Sequence, residues 1–132
     1  MKKLFFLLLA PLLMSMQCES DDPIFGTEYF IENNSSIDLI LITEEAGEIL
    51  IKSQSSQFIA VATDSNAFVV PSDNIAFTEI TLYTSEDGGN MVLVYEQNPI
   101  MDSLWIFEEL SSYTARYRLI ITDDSLNINQ GL

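Results

Sequence analysis

The sequence predicts an all-β domain: an antiparallel β-sandwich of the immunoglobulin-like kind, with a small closed β-barrel as the alternative. Three observations point there. Short runs rich in Ile, Val, Leu, Phe and Tyr recur through residues 24–122, each too short for an ordinary helix. Clusters of Asn, Asp, Ser, Gly and Pro separate them at spacings of about 8–14 residues, the rhythm of a sandwich or barrel. Residues 113–122 alternate cleanly: Tyr113, Ala115, Tyr117, Leu119 and Ile121 fall on one face, and Thr114, Arg116 and Arg118 on the other. No segment shows helical periodicity.

Taken in order, Thr27–Ile31 reads as the first strand and Asn33–Ser36 as a turn. Ile37–Thr43 is strongly β, because β-branched residues dominate it. Glu44–Gly47 makes a compact hairpin loop, with Gly47 supplying positive φ, and Glu48–Lys52 returns. Gln57–Ala62 follows, closed by the turn Thr63–Asn66. Phe68–Val70 reads as a short edge strand stopped by Pro71. Ala76–Thr84 alternates, Ser85–Asn90 (SEDGGN) is a turn, and Met91–Tyr95 is the next strand. Leu104–Phe107 is apolar, Tyr113–Thr122 is the last strand, and Asp123–Leu132 reads as a frayed tail. The count is about seven to nine strands, which is one domain over 27–122.

The N-terminus has a different grammar. Met1-Lys2-Lys3 is basic, and Leu4–Met14 is an apolar run of 11 residues. A bilayer-spanning helix needs about 20, so the run fits the h-region of a secretion signal. Ser15-Met16-Gln17-Cys18 follows in place of an ordinary A-x-A cleavage site, and Cys18 is the only cysteine. An intramolecular disulfide is therefore excluded. The position of Cys18, directly after the h-region, is that of a lipidated cysteine with cleavage before it. The lipobox is loose, with Ser15 and Gln17 where Leu and a small residue are usual. Residues 1–17 are read as the signal and 18–26 as the anchor residue with an acidic tether.

The segment Cys18-Glu19-Ser20-Asp21-Asp22-Pro23 resembles the export signal of Bacteroidetes-type surface lipoproteins, in which Ser and acids directly follow the lipidated Cys. The resemblance implies that Glu19, Ser20, Asp21 and Asp22 direct the protein to the outer face of the outer membrane; the periplasmic face is the alternative. From Tyr29 to Leu126 the chain is also similar to small lipoproteins of that bacterial group, through IENNSSIDLILI, ITLYTSEDGG, NPIMDSLW and YRLIITDDSL. That similarity implies fold and location, and no activity.

Charge narrows the function classes. The 132-residue chain carries a formal net charge of −15; loss of Lys2 and Lys3 with the signal takes it to −17, leaving Lys52, Arg116 and Arg118 as the only cations. Phosphate backbones need clustered Lys and Arg, so nucleic acid is excluded as a partner. Direct electrostatic docking on anionic lipid is disfavoured for the same reason. The acids keep a tethered domain soluble.

Catalytic constellations are missing. There is no histidine, which removes Ser-His-Asp and Cys-His arrangements, and lipidation blocks Cys18. Gly88-Gly89 lacks the Lys and helix of a phosphate loop. Glu108 and Glu109 are adjacent and point to opposite faces of a strand, so they cannot form a facing acid pair. Asp123, Asp124, Ser125, Asn127 and Asn129 offer oxygens for calcium but lack the central Gly and terminal Glu of a calcium loop, and no metal or cofactor is assigned.

Three residues stand out as ligand contacts: Trp105, if exposed, for stacking on a sugar, and Arg116 with Arg118 for a carboxylate or sulfate. Against these stand a core position for Trp105 and cross-strand pairing for the arginines. The sequence thus predicts a non-catalytic envelope lipoprotein, held in the membrane by its lipid, whose β-domain binds an envelope protein or a glycan. An accessory carbohydrate-binding module and a carboxylate-only hydrolase are the competing expectations. One patch joining Trp105, Arg116 and Arg118 favours the former; two acids across a pocket favour the latter.

Overall fold

The structure, a computed structural model, describes residues 22–127. Eight strands form it: β1 (Phe25–Asn33), β2 (Leu39–Thr43), β3 (Gly47–Ile51), β4 (Ser55–Asp64), β5 (Ile80–Ser85), β6 (Met91–Gln97), β7 (Trp105–Ser111) and β8 (Thr114–Ile121). Three short 3₁₀ turns cover Pro71–Asp73, Asp102–Leu104 and Asp123–Ser125. The strands make two four-stranded sheets, β4-β1-β8-β7 and β3-β2-β5-β6, which pack face to face. The sheets do not join into a closed barrel, so the domain is a β-sandwich. Its layering is that of an immunoglobulin domain, while the strand order is its own.

Each local hairpin is antiparallel, as its loop demands: β2 with β3, β5 with β6, β7 with β8. In the β5–β6 turn Gly88 and Gly89 hold φ of +93° and +84°, which a side chain would resist. One pairing departs from the all-antiparallel expectation. β1 lies parallel to β8, with Glu28 opposite Arg116 and Ile31 opposite Leu119. The two strands come from opposite ends of the domain, so no short connection dictates their relative direction.

The core follows from alternation. In β1, Thr27, Tyr29, Ile31 and Asn33 are buried while Glu28, Phe30 and Glu32 point out. In β8, Ala115, Leu119 and Ile121 are buried on the predicted face. Leu39, Leu41, Ile51, Ile80 and Leu82 close the core from the second sheet. Among the described residues the buried side-chain polar atoms find hydrogen-bond partners, with the exception of Arg118 Nε. Asn33 Nδ2 donates to the carbonyls of Ile37 (2.9 Å) and Ile51 (3.1 Å), and its Oδ1 accepts from the Ser35 N–H and hydroxyl.

Two expected elements differ. Phe68–Val70 is no edge strand: its polar groups are taken by side chains, the Val69 N–H donating to Thr27 Oγ1 and the Val69 carbonyl accepting from Tyr29 Oη. The segment after β8 is not frayed as far as it is described. Thr122 and Ser125 close a capping box, Leu126 is buried, and the Asn127 N–H donates to the Val94 carbonyl at 2.8 Å. Several strands also run longer than their apolar runs, because ladder bonding extends β1 to Phe25 and Asn33 and β7 to Ser111.

Candidate functional site

Parity along β7 and β8 fixes which predicted contact residues meet. Trp105 lies opposite Leu119 and so faces the core, whereas Ile106 and Glu108 lie opposite Arg118 and Arg116 on the outer face. Trp105 is 5% exposed and stacks on Phe77 at 5.7 Å, with its Nε1 donating to Gln97 Oε1 at 3.0 Å. Of the two readings of Trp105 the core position is the one the structure shows, and the exposed ligand contact is set aside: the ring stands on the opposite side of the first sheet from Arg116 and Arg118, and no single patch joins the three.

The two arginines do share the outer face, where each is engaged. Arg116 Nη2 reaches Glu28 Oε2 at 3.0 Å, straight across the parallel β1–β8 ladder. Arg118 Nη1 reaches Glu32 Oε2 at 2.6 Å, diagonally. Between them the Arg116 guanidinium lies over the Phe30 ring, 4.4 Å from its centroid. Phe30 in turn meets Phe58 of β4 edge to face at 5.6 Å. Phe58, Val61 and Ile106 remain about half exposed around this charged stripe. The outer face is thus a broad surface in which apolar side chains surround two closed ion pairs. Each pair is about one-third exposed, so solvent screens it and holding the side chains in place offsets part of its attraction.

The remaining candidates are dispersed. Glu108 and Glu109 lie opposite Arg116 and Ala115 and point to opposite faces of the sheet. Asp123 Oδ1 accepts from both the N–H and the hydroxyl of Ser36, each at 2.8 Å, tying the turn after β8 to the loop after β1. These bonds hold its carboxyl below the usual carboxylate range. Among the described residues no three His, Cys, Asp or Glu side chains converge as a metal site would need. Asp22 is exposed; Cys18, Glu19, Ser20 and Asp21 lie outside the described residues.

Sequence reasoning missed a line of aromatic rings at the end of the sandwich where β1 begins. Tyr113 meets Phe25 (5.3 Å), Phe25 meets Phe68 (5.1 Å), and Phe68 meets Phe107 (5.9 Å). The one signal was Tyr113, which continues the apolar face of β8 past the strand's end. Phe68 reaches the cluster from a loop, a placement periodicity does not carry. No family model, no curated protein and no solved structure matches the chain.

Proposed function

We propose that the chain is a non-catalytic lipoprotein of the cell envelope, anchored through Cys18 and exported to the cell surface by the acids and serine that follow it. The β-sandwich is then a binding or assembly module. The observation that carries this reading is the join between signal and domain. The first strand begins at Phe25, seven residues beyond Cys18, so a folded sandwich starts directly after the tether. A signal-like segment, a lone cysteine at its end and an immediate all-β domain form a coherent envelope protein.

The outer face of the first sheet supports a protein partner over a glycan. Arg116 and Arg118 are held by Glu28 and Glu32, so an anionic sugar must break those pairs to be gripped. Phe58, Val61 and Ile106 supply exposed apolar area beside arginine, a mixture typical of protein interfaces. The burial of Trp105 takes away the flat ring on which a sugar would stack.

The test is the mass of the N-terminal peptide from membranes of cells making the full chain. The reading predicts a peptide beginning at Cys18 and carrying diacylglycerol, with the protein lost from the membrane fraction in Cys18→Ala. An unmodified Cys18 in a protein that keeps residues 1–17 contradicts it.

A further inference from the structure

The two ends of the sandwich differ in chemistry. At the end where β1 finishes, the connections are polar: Asn34–Ser36, Ser53-Gln54 and Asp123–Ser125, joined by the turn Glu86–Asn90 beyond β5, whose Thr84 hydroxyl donates to the Asp38 carbonyl. At the end where β1 begins, apolar groups of the first sheet reach solvent beside the β2–β3 hairpin of the second, whose Glu44 and Glu45 are exposed. Ile24 is 65% exposed, Tyr113 49%, Phe107 46% and Leu110 44%. Phe107 and Tyr113 are continuous with Phe25 and Phe68 through the line of rings, Ile24 directly precedes Phe25, Leu110 belongs to the same β7–β8 hairpin as Tyr113, and the Gly26 N–H donates to the Tyr113 carbonyl at 2.8 Å, fixing this rim to the start of β1. A surface of adjoining exposed apolar side chains on a small domain marks a docking site.

Chain length identifies the occupant. Only six peptide steps separate Cys18 from Ile24, and a fully extended chain advances about 3.5 Å per residue, so the rim stays within about 20 Å of the anchored residue. With Cys18 read as the anchor, this end is the nearer of the two to the bilayer and lies within reach of it. We propose that the rim formed by Ile24, Phe25, Phe68, Phe107, Leu110 and Tyr113 rests in the interfacial layer of the membrane that holds the lipid anchor. Tyr suits that layer, since its ring is apolar and its hydroxyl stays hydrated. Asp64, opposite Phe25, Glu109 on β7, and Glu44 and Glu45 of the β2–β3 hairpin lie at this end and repel anionic headgroups, so the surface it fits is a zwitterionic one. The orientation that results turns the polar end outward and stands the outer face of the first sheet roughly upright, open to a partner.

The proposal rests on lipidation of Cys18, and its test separates the two. The acylated protein is placed in phosphatidylcholine vesicles with and without lipids brominated near the headgroup, as Tyr113→Trp and as Asp87→Trp in the polar turn, each against the Trp105 background of the wild type. Bromine is expected to quench the added emission in Tyr113→Trp, with a blue shift, and to leave Asp87→Trp unchanged. In parallel, amide exchange over residues 110–114 is expected to slow in the wild-type lipidated protein on vesicles relative to free Cys18→Ala protein. No quenching and no slowing in a protein whose acyl mass is confirmed overturns the docking surface and leaves the anchor standing. An unacylated Cys18 overturns both.

Discussion

Gln97 and Trp105 join the two sheets of the sandwich. The Gln97 side-chain oxygen, buried at the end of β6, accepts both from Trp105 Nε1 at 3.0 Å and from the Met101 N–H at 2.9 Å. Its amide nitrogen donates to Tyr95 Oη at 2.9 Å. One buried side chain thus satisfies the indole, a neighbouring loop and a tyrosine together. Gln97→Leu keeps the volume and leaves the buried indole N–H without an acceptor, at about 1–3 kcal/mol, and the half-buried Met101 N–H without its partner at a smaller cost. Urea unfolding followed by Trp105 emission is expected to show a loss of about 2–4 kcal/mol.

Tyr29 provides the alkaline limit of the fold. Burial is the largest cause that raises its pKa far above the ordinary 10.0, with the charges of Tyr117, Asp102 and Asp73 adding to it. Tyr95 and Tyr117 are raised too, chiefly by burial. The folded state keeps these protons at a pH where the unfolded chain has released them. Stability is therefore whole below pH 10 and falls as pH rises beyond it. Urea midpoints measured from pH 8 to 12 are expected to hold level and then drop, with tyrosinate absorbance appearing only on unfolding for Tyr29.

The ion pairs of the outer face are expected to matter little to stability. Arg118 Nε is buried without a partner, which offsets part of what its Nη1 gains from Glu32. Arg118→Met is expected to change unfolding free energy by less than about 1 kcal/mol. A loss several times larger in denaturant titration would show the pair to be a structural element of the sheet.

Asp123 works in the opposite pH direction. Hydrogen bonds from the Ser36 backbone and hydroxyl lower its pKa below the ordinary 3.8, so its contribution is present above that value and is lost as pH falls through the lower folded value. The Ser36 amide shift in an NMR titration is expected to inflect below pH 3.8 and to lose that inflection in Asp123→Asn.

What was legible in the sequence was local. The parity of β8 was plain because Tyr113 to Ile121 alternate without interruption, and the β5–β6 turn because SEDGGN leaves no other use for two glycines. The loop Phe68–Val70 was misread because its apolar residues look like a strand. Its partners, Thr27 and Tyr29, are about forty residues away in sequence, beyond what local pattern reports. The parallel ladder between β1 and β8 is hidden for the same reason. Of the candidate site, the cross-strand engagement of Arg116 and Arg118 follows from charge, with two cations on a face otherwise short of them. The outward aromatic rim was not legible, since Phe25, Phe68, Phe107 and Tyr113 come from four separate segments.

We propose that this domain stands on the outside of the cell, held there by Cys18. Proteinase treatment of intact cells, comparing wild type with Cys18→Ala, tests it most directly. The account predicts a wild-type protein that is cell-bound and digested, and a mutant that is not retained at the surface. A wild-type protein that is protected until the outer membrane is opened contradicts the surface location: Glu19, Ser20, Asp21 and Asp22 are then no export signal, and the domain faces the periplasm.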